Sequence, residues 1–283
     1  MTGALVLKLG GELLESLDGR SRIAAAVASL AATRPLVVVH GGGRAVDAAL
    51  DRQGISPRKI DGLRITDGAT LDVVVSVLGG QANIHLVAAL VGQGLSAVGL
   101  TGVDAGFGRA ARTAAHRTST GEVVDLGLVG DPADPDPSLI ELLLAHGHLP
   151  VVASLGLESD GMTGSGVPPR VLNVNADVMA CRIAAALGAA DLVIAGATPG
   201  VLDQSGRTVA ELDLAGIDAL VADLTASAGM IAKLLACRAA LADGVASIRI
   251  VDGRSLDVRH GVEAAPGTTL LARKEAGATV PAA

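Results

Sequence analysis

Lysine is scarce in this chain, and one of its four lysines ends the first predicted strand. The apolar run that opens the chain is interrupted by Lys8, and Gly10 and Gly11 follow after Leu9. A lysine in an apolar strand costs desolvation free energy unless an anion meets it. A compact ammonium group beside the backbone N–H groups of a glycine turn suits a phosphate. We therefore take Lys8 as a candidate phosphate-binding residue.

A second glycine run, Gly41–Gly43, follows a predicted strand that ends at His40 and leads into a predicted helix over 43–53. Glycines let backbone N–H groups approach an oxyanion, and a helix N-terminus favours negative charge. A tight strand-to-helix turn explains three glycines equally well. We expect His40 to pack or to form hydrogen bonds, and not to act as a base.

Polar residues also open the predicted helix over 176–188. Asn175 or Asp177 could simply cap this helix, which is the usual role of such residues there. The functional alternative is that Asp177 orients two lysines while Asn173 binds substrate. An aspartate between cations stays ionised.

Two further cations have both a structural and a functional explanation. Lys233 is either an exposed lysine of the predicted helix over 228–243 or a clamp on a phosphate from the side opposite Lys8. Arg64 is either a surface cation or a bidentate anchor for a substrate carboxylate. Thr66 or Asp67 caps the helix that follows in either case.

These residues need a scaffold, and the apolar pattern predicts one. The predicted strands are continuous apolar runs, such as Leu36–Val39, which indicates burial on both faces and a mostly parallel sheet. Alternation of strands and helices predicts an α/β fold with three layers, helices covering a central sheet on both sides. Strands are predicted at 4–9, 35–40, 96–100, 149–155, 191–196 and 247–252. Helices are predicted at 20–33, 43–53, 68–91, 137–147, 176–188, 228–243 and 255–263.

Ligands of such sheets bind beyond the carboxyl ends of the strands. Small residues follow four of these ends, at Gly10, Gly41, Thr101 and Thr198, which predicts an anion-rich ligand across the sheet edge. Between the regular elements, residues 107–130 are predicted to form a basic hairpin, 157–171 a loop, and the tail after 271 a disordered segment.

Composition excludes several classes of function. The chain of 283 residues has one Phe and no Tyr or Trp, so platforms for stacking nucleic-acid bases are absent. Its net charge of −7 also disfavours a nucleic-acid partner. Cys181 and Cys237 match no metal-binding or redox spacing and are expected in the core of a cytoplasmic protein. The uncharged stretch 73–103 is interrupted by glycines and amides, so we expect helix, turn and strand there and no membrane span.

Taken together and in order, these motifs are more specific than any one of them. The chain carries Lys-x-Gly-Gly from Lys8, His-Gly-Gly-Gly from His40, Gly-Leu-Arg-x-Thr from Gly62 and Asn-x-Asn-Ala-Asp from Asn173, then Pro-Gly-Val-Leu-Asp from Pro199 and Gly-Met-Ile-x-Lys from Gly229. This order resembles the amino acid kinase superfamily and, within it, the acetylglutamate kinases. The resemblance runs from about Ala4 to Leu271.

The resemblance implies a reaction and its cofactor. Members of that family transfer the γ-phosphoryl group of ATP, with Mg²⁺, to the side-chain carboxylate of N-acetyl-L-glutamate in arginine biosynthesis. It implies one domain over residues 1–271, with an acyl-amino-acid-binding and dimerisation lobe at about 1–172, a nucleotide-binding lobe at about 173–271 and a flexible tail at 272–283. The short segment before the first strand resembles the arginine-insensitive, homodimeric members.

The resemblance also assigns roles to residues. Lys8 and Lys233 would stabilise the transferring phosphoryl group, and Asp177 would organise both. The substrate would be held by Gly42, Gly43, Arg64 and Asn173. The nucleotide would be bound by Gly10, Gly11, Thr198, Gly200, Val201, Leu202, Gly229 and Met230. The resemblance implies no dedicated metal ligand on the protein.

One departure and two alternatives qualify this interpretation. The family usually has Asp at the position of Ala197, on the nucleotide side. A carrier-protein-linked aminoadipate or glutamate kinase of lysine biosynthesis is the nearest alternative, because Arg109, Arg112, His116 and Arg117 could dock an acidic carrier. An alternative of another class is a sensor that binds an acylated amino acid without turnover.

Overall fold

A computed structural model describes residues 3–113, 115–118, 121–132, 135–159, 168–223, 227–256 and 265–273. The strands are β1 Leu5–Leu9, β2 Leu36–His40, β3 Lys59–Ile60, β4 Leu63–Arg64, β5 Ala97–Thr101, β6 Arg109–Arg112, β7 His116–Arg117, β8 Val123–Val124, β9 Val129–Pro132, β10 Leu149–Ala153, β11 Leu155–Glu158, β12 Val171–Val174, β13 Asp191–Gly196, β14 Glu211–Leu212, β15 Ser247–Asp252 and β16 Gly267–Leu271. The helices are α1 Leu17–Ala31, α2 Gly43–Arg52, α3 Gly68–Val75, α4 Asn83–Val91, α5 Ser138–Ala145, α6 Ala176–Ala186, α7 Leu214–Ala222 and α8 Ala228–Ala242.

Eight of these strands form the central sheet, in the order β14-β16-β15-β13-β1-β2-β10-β5. The six strands from β15 to β5 are parallel to one another, while β16 runs antiparallel to β15. The prediction of a mostly parallel sheet is confirmed. Since β1 lies near the middle of the parallel set, the residues that follow it lie at the centre of the edge where ligands bind in such folds.

The apolar runs of the sheet face a helical layer on each side. Val6 of β1 belongs to a buried cluster that contains Met179 of α6 and Leu234 of α8. Its neighbour Leu7 belongs to a second cluster with Ile23 of α1. Successive strand residues point to opposite faces, so a continuous apolar run buries both. The predicted three-layer αβα arrangement follows from this pattern.

A smaller closed sheet of β6, β9, β11 and β12 lies outside the central one. β6 and β9 are antiparallel, and the β7–β8 hairpin lies between them in the sequence. The hairpin predicted over 107–130 therefore consists of two antiparallel strand pairs. The predicted strand 149–155 divides at Ser154 into β10 and β11. The predicted loop 157–171 is shorter than expected, because 157–158 and 171 belong to strands, and 160–167 lie outside the described residues.

The long helix predicted over 68–91 is present and contains an irregularity. Between α3 and α4, Ser76–Ala82 is a π-helical segment, and the three pieces form one 24-residue helix. By length and composition this helix would pass as a membrane span, and 39% of its most apolar 18-residue window is buried. A core helix of a soluble protein passes the same test, so the observation is weak evidence for a membrane.

Other predictions fall partly outside the described chain. The helix expected at 255–263 corresponds to a 3-10 turn at Gly253–Ser255, and 257–264 are not described. The tail prediction concerns 272–283, of which 274–283 are not described. Cys181 and Cys237 are free and buried, as expected. The elements that were not predicted from the sequence include helix α7 and strands β3, β4, β12, β14 and β16.

Candidate active site

Lys8, Asp177 and Lys233 meet at the carboxyl edge of the central sheet. Lys8 Nζ lies 2.7 Å from Asp177 Oδ1, and Lys233 Nζ lies 2.6 Å from Asp177 Oδ2. The side chains of the two lysines are only 11% and 15% exposed. One carboxylate therefore holds two ammonium groups, and Lys8 and Asp177 line a cavity of about 240 Å³. The explanation of Lys233 as an exposed helical lysine is wrong.

The ionised form of Asp177 and the protonated form of Lys233 stabilise each other. Burial alone would raise the pKa of the Asp177 carboxyl, but the charges and hydrogen bonds of Lys8 and Lys233 outweigh burial and hold it well below its usual value. Burial alone would lower the pKa of Lys233, and Asp177 raises it above its usual value instead. The cluster thus carries two positive charges and one negative charge at neutral pH.

Each member of the cluster is positioned by a different element. Lys8 is the fourth residue of β1, paired in register with Val39 of β2 and Ile194 of β13. Asp177 lies in the first turn of α6, where Asn175 is the cap and accepts a hydrogen bond from the Asp177 N–H at 2.8 Å. The capping role expected for Asn175 is confirmed, and it leaves the Asp177 carboxylate free for the lysines.

The two glycine turns lie close together, and a side chain added at Gly11 or at Gly42 would clash with a neighbour. A Cβ on Gly11 would lie 2.5 Å from Gly42 Cα, and a Cβ on Gly42 would lie 2.8 Å from a methyl of Leu78. Gly42 also precedes the first residue of α2, whose free N–H groups face the same cavity. The Gly10 N–H donates to the Ala195 carbonyl at 2.8 Å and the Gly41 N–H to the Leu9 carbonyl at 3.3 Å, so neither is available to a ligand.

His40, directly before this turn, is packed as expected. It is fully buried, and Asn83 Nδ2 lies 3.0 Å from its Nε2. Burial lowers the pKa of His40 to about 4, so the ring is neutral at physiological pH. It supports the glycine turn and has no access to a substrate proton.

Arg64 lies in the same cavity, on β4. Its Nη2 is 2.6 Å from Asp47 Oδ1 and donates a hydrogen bond to the Gly43 carbonyl at 3.0 Å. Its Nη1 is buried and has no hydrogen-bond partner among the described residues. A buried guanidinium with an unused donor is the arrangement expected of a carboxylate anchor. The explanation of Arg64 as a surface cation is wrong.

Asp47 has the same relation to two cations as Asp177. It contacts Arg64 and also accepts a hydrogen bond from Lys59 Nζ at 2.6 Å. The pKa of Asp47 is lowered, because hydrogen bonds and charge from Lys59 and Arg64 outweigh burial. Sequence reasoning missed Asp47 and Lys59, although Asp47 stands four residues after Gly43, one helical turn along α2.

Asn173 completes this end of the cavity. It is the third residue of β12, and its Nδ2 donates a hydrogen bond to Thr66 Oγ1 at 3.1 Å. Asp67, and not Thr66, caps α3 by accepting from the Thr70 N–H. The Asn173 carbonyl oxygen is left for a second partner.

A second cavity, of about 470 Å³, lies at the end of β13 and the start of α8. Among the predicted nucleotide-binding residues, Thr198, Gly200, Leu202 and Met230 line it. Val201 does not, because it is fully buried in the core and its N–H is taken by Thr268 Oγ1. Met230, which lines this second cavity, lies about one helical turn before Lys233 on α8, and Lys233 contacts Asp177 of the first cavity.

The turn between β3 and β4 contacts the start of α8 through backbone atoms. Gly62, in the turn between β3 and β4, approaches the start of α8 so that a Cβ on Gly62 would lie 3.4 Å from Gly229 Cα. Gly62 has a φ of +82°, a conformation that glycine adopts without strain. The predicted residue Gly229 therefore contacts the hairpin that carries Arg64.

Not every strand end contributes to the site. Thr101 and Asp104, after the edge strand β5, hydrogen-bond to each other and do not line either cavity. β5 is separated from β1 by β10 and β2, which explains why its end lies too far away. The residues that follow β1, β2 and β13 line the two cavities and those at the end of β5 do not, so a ligand across the first three strand ends stays a prediction.

Comparison with known proteins agrees with this geometry. The model of the amino acid kinase family matches residues 3–252. The chain belongs to the amino acid kinase family. A protein of Koribacter versatilis named acetylglutamate kinase is 39% identical over 95% of this chain and 98% of its own length. One of the same name from Symbiobacterium thermophilum is 38% identical over 88% of this chain and 84% of its own.

Solved structures share the fold. The chain resembles N-acetylglutamate synthase from Neisseria gonorrhoeae with a TM-score of 0.78 and 23% identity, over 96% of this chain and 60% of that longer one. It resembles carbamate kinase from Giardia with a TM-score of 0.66 and 18% identity, over 96% of this chain and all of that one. At these identities the likeness concerns the fold alone.

The donor set of this amino acid kinase fits phosphoryl transfer. The Lys8 ammonium group and the N-termini of α2 and α6 line one cavity, and Lys233 reaches its edge through Asp177, which provides charge neutralisation and positioning. No group of three or more His, Cys, Asp or Glu side chains is arranged for a metal among the described residues. A divalent cation bound by nucleotide phosphates needs few protein ligands and fits such a site.

Proposed function

We propose that this chain transfers the γ-phosphoryl group of ATP to the side-chain carboxylate of N-acetyl-L-glutamate, as a step of arginine biosynthesis. The observation that carries the proposal is a buried guanidinium with an unused donor, Arg64, in one cavity with Lys8 and Asp177, whose carboxylate also holds Lys233. Relatives that bear the name acetylglutamate kinase over most of their length support the choice of substrate.

The chemistry requires little from the protein beyond charge and position. A side-chain carboxylate is already ionised at neutral pH, so its oxygen attacks the γ-phosphorus without a general base. The bond from that phosphorus to the bridging oxygen breaks, and ADP leaves with the electron pair. In our proposal Lys8 and Lys233 neutralise the charge on the transferring group, and Asp177 keeps both in place.

The remaining residues divide between the two substrates. We assign the acyl amino acid to Gly42, Gly43, Arg64 and Asn173, with Arg64 on its α-carboxylate. The Gly11 N–H donates to phosphate oxygens, whereas the Gly10 N–H already donates to the Ala195 carbonyl at 2.8 Å. The rest of the nucleotide occupies the cavity lined by Thr198, Gly200, Leu202 and Met230. The division into lobes at about 1–172 and 173–271 stays a prediction, and this assignment crosses it at Gly11 and at Asn173. Mg²⁺ supplied with ATP would neutralise charge on the phosphates.

The basic hairpin gives little support to a carrier-protein substrate. Arg112 contacts Asp125 and donates to the Gly127 carbonyl, and His116 lies 2.9 Å from Asp61. Arg117 donates to the Gly121 carbonyl. These cations are engaged within the fold, and a docking surface for an acidic carrier would need them free.

One assay separates the candidate functions. We expect purified protein to release ADP from ATP with N-acetyl-L-glutamate, and not with N-acetylaminoadipate or glutamate. Turnover only with aminoadipate derivatives would favour the carrier-linked kinase. Calorimetric binding of N-acetyl-L-glutamate without turnover would favour the sensor, which the complete ion cluster disfavours.

We further infer that the protein is a cytoplasmic homodimer that associates through the long helix Gly68–Val91. Three apolar residues on this helix are exposed, Val75 at 36%, Ile84 at 63% and Val91 at 53%. Exposed large apolar side chains on one helix are candidates for an interaction surface. We expect light scattering coupled to gel filtration to give twice the chain mass of 27.9 kDa. A single-chain mass at micromolar concentration would contradict this inference.

A further inference from the structure

Glu12 places a carboxylate against the glycine turn that we assign to phosphate. It follows Gly11 directly and lines the same cavity as Lys8. The side chain folds back over Gly10, since a Cβ built on Gly10 would lie 2.4 Å from Glu12 Oε1 and 2.7 Å from Oε2. A negative group at this position is unexpected in a site for a polyanion, so it needs an explanation.

One carboxylate oxygen has a structural partner and the other is available. Glu12 Oε1 accepts a hydrogen bond from the Ala197 N–H at 2.9 Å, which ties the end of β13 to the turn after β1. Oε2 has no hydrogen-bond donor among the described residues. Ala197 has only a methyl side chain, so Glu12 supplies the carboxylate between the phosphate turn and the nucleotide cavity.

The nearby protein cations are already engaged. Lys8 is held by Asp177 at 2.7 Å. Arg254 lies near enough to Glu12 for their charges to interact, but its donors go to both carboxylate oxygens of Asp252 and to the Ala197 carbonyl. A triphosphate beside Gly11 would therefore bring its oxygens close to the Glu12 carboxylate, whose Oε2 no described residue pairs directly. Two such anions are stable together only with a cation between them, and hard divalent cations prefer oxygen ligands.

We propose that Glu12 Oε2 contacts the divalent cation that accompanies the nucleotide, directly or through a bound water. This inference rests on the proposed use of ATP. It assigns Glu12 two roles, a hydrogen bond that fixes the Ala197 turn through Oε1 and a cation contact through Oε2. The cation then lies between the phosphate turn and the nucleotide cavity, where the β–γ bridge has to lie for transfer.

Mn²⁺ tests the proposal without any turnover. Mn²⁺ is titrated into protein saturated with ADP, and the free ion is followed by its electron paramagnetic resonance signal. Glu12→Gln keeps an oxygen that accepts from Ala197 but removes the charge. We expect this variant to weaken Mn²⁺ binding to the protein–ADP complex by roughly 10–100-fold, the range found for supporting groups of metal sites.

Glu15→Gln is the matched control, because Glu15 lies three residues along the same segment, contacts Arg44 at 3.9 Å and does not line the cavity. We expect it to leave Mn²⁺ affinity unchanged. Equal Mn²⁺ affinities for wild type and Glu12→Gln would overturn the proposal. So would a loss of ADP affinity in Glu12→Gln that is as large in EDTA as with metal, since Glu12 would then only position the turn. Failure of the wild type to bind ADP would instead count against the proposed function.

Discussion

Lys8→Arg is expected to lower kcat by about 10²–10³-fold, the usual effect of removing one charge-stabilising donor from a transition state. The substitution keeps the positive charge but replaces a compact ammonium group with a planar guanidinium group. The Lys8 side chain is 11% exposed and ends 2.7 Å from Asp177. A planar guanidinium in that space would pair with Asp177 through both of its edges, compete with Lys233 and lie too far from the phosphoryl group.

A matched control separates this effect from a general loss of an ion pair. Arg34 pairs with Asp191 at the opposite edge of the same sheet, so Arg34→Lys exchanges the two cation types far from the site. We expect Arg34→Lys to keep wild-type kcat. Steady-state kinetics with saturating ATP, together with circular dichroism of each variant, measure the difference. Near-wild-type kcat in folded Lys8→Arg would remove Lys8 from the transfer step.

Arg64→Lys is expected to raise KM for N-acetyl-L-glutamate by roughly 30-fold, corresponding to about 2 kcal/mol for a lost charged hydrogen bond. Arg64 uses Nη2 for Asp47 and the Gly43 carbonyl and keeps Nη1 unpaired. A single ammonium group satisfies Asp47 or the substrate carboxylate, but not both. Because the lost contact is present in ground state and transition state alike, kcat changes less than KM.

Arg112→Lys controls for the substitution itself. Arg112 pairs with Asp125 and donates to the Gly127 carbonyl outside the cavity, so its replacement should leave KM unchanged. KM for ATP is a second internal control in both variants. Unchanged KM for N-acetyl-L-glutamate in Arg64→Lys would show that another group binds the α-carboxylate.

The central sheet and the main helices were predictable because their signals are local. A run such as Leu36–Val39 must be buried on both faces wherever it lies in a chain, and glycine turns after such runs mark the edge where ligands bind. The smaller sheet was not predictable in the same way. β6 consists of Arg109, Ala110, Ala111 and Arg112, and only its pairing with distant β9 and β11 makes it a strand.

The candidate site could likewise be predicted only where its signals are local. Lys8 stood out because an unpaired lysine in an apolar strand violates a local rule. Asp47 and Glu12 did not, because an acidic residue on a helix or in a turn is ordinary. Their importance comes from tertiary contacts, such as the hydrogen bond from Ala197, 185 residues along the chain from Glu12. Val201 was assigned to the nucleotide by its place in a motif, whereas its burial depends on packing.

The approach of Gly62 to Gly229 bears on how molecules enter and leave. The phosphorylated product would be larger than the acyl amino acid from which it forms. The β3–β4 turn lines the first cavity at Gly62 and lies against the start of α8. A contact between two glycines buries little apolar surface and has no side chains to interlock. Separating these two backbones therefore costs little apolar burial, and opening the turn would have to break the contact of Asp61 with His116 at 2.9 Å.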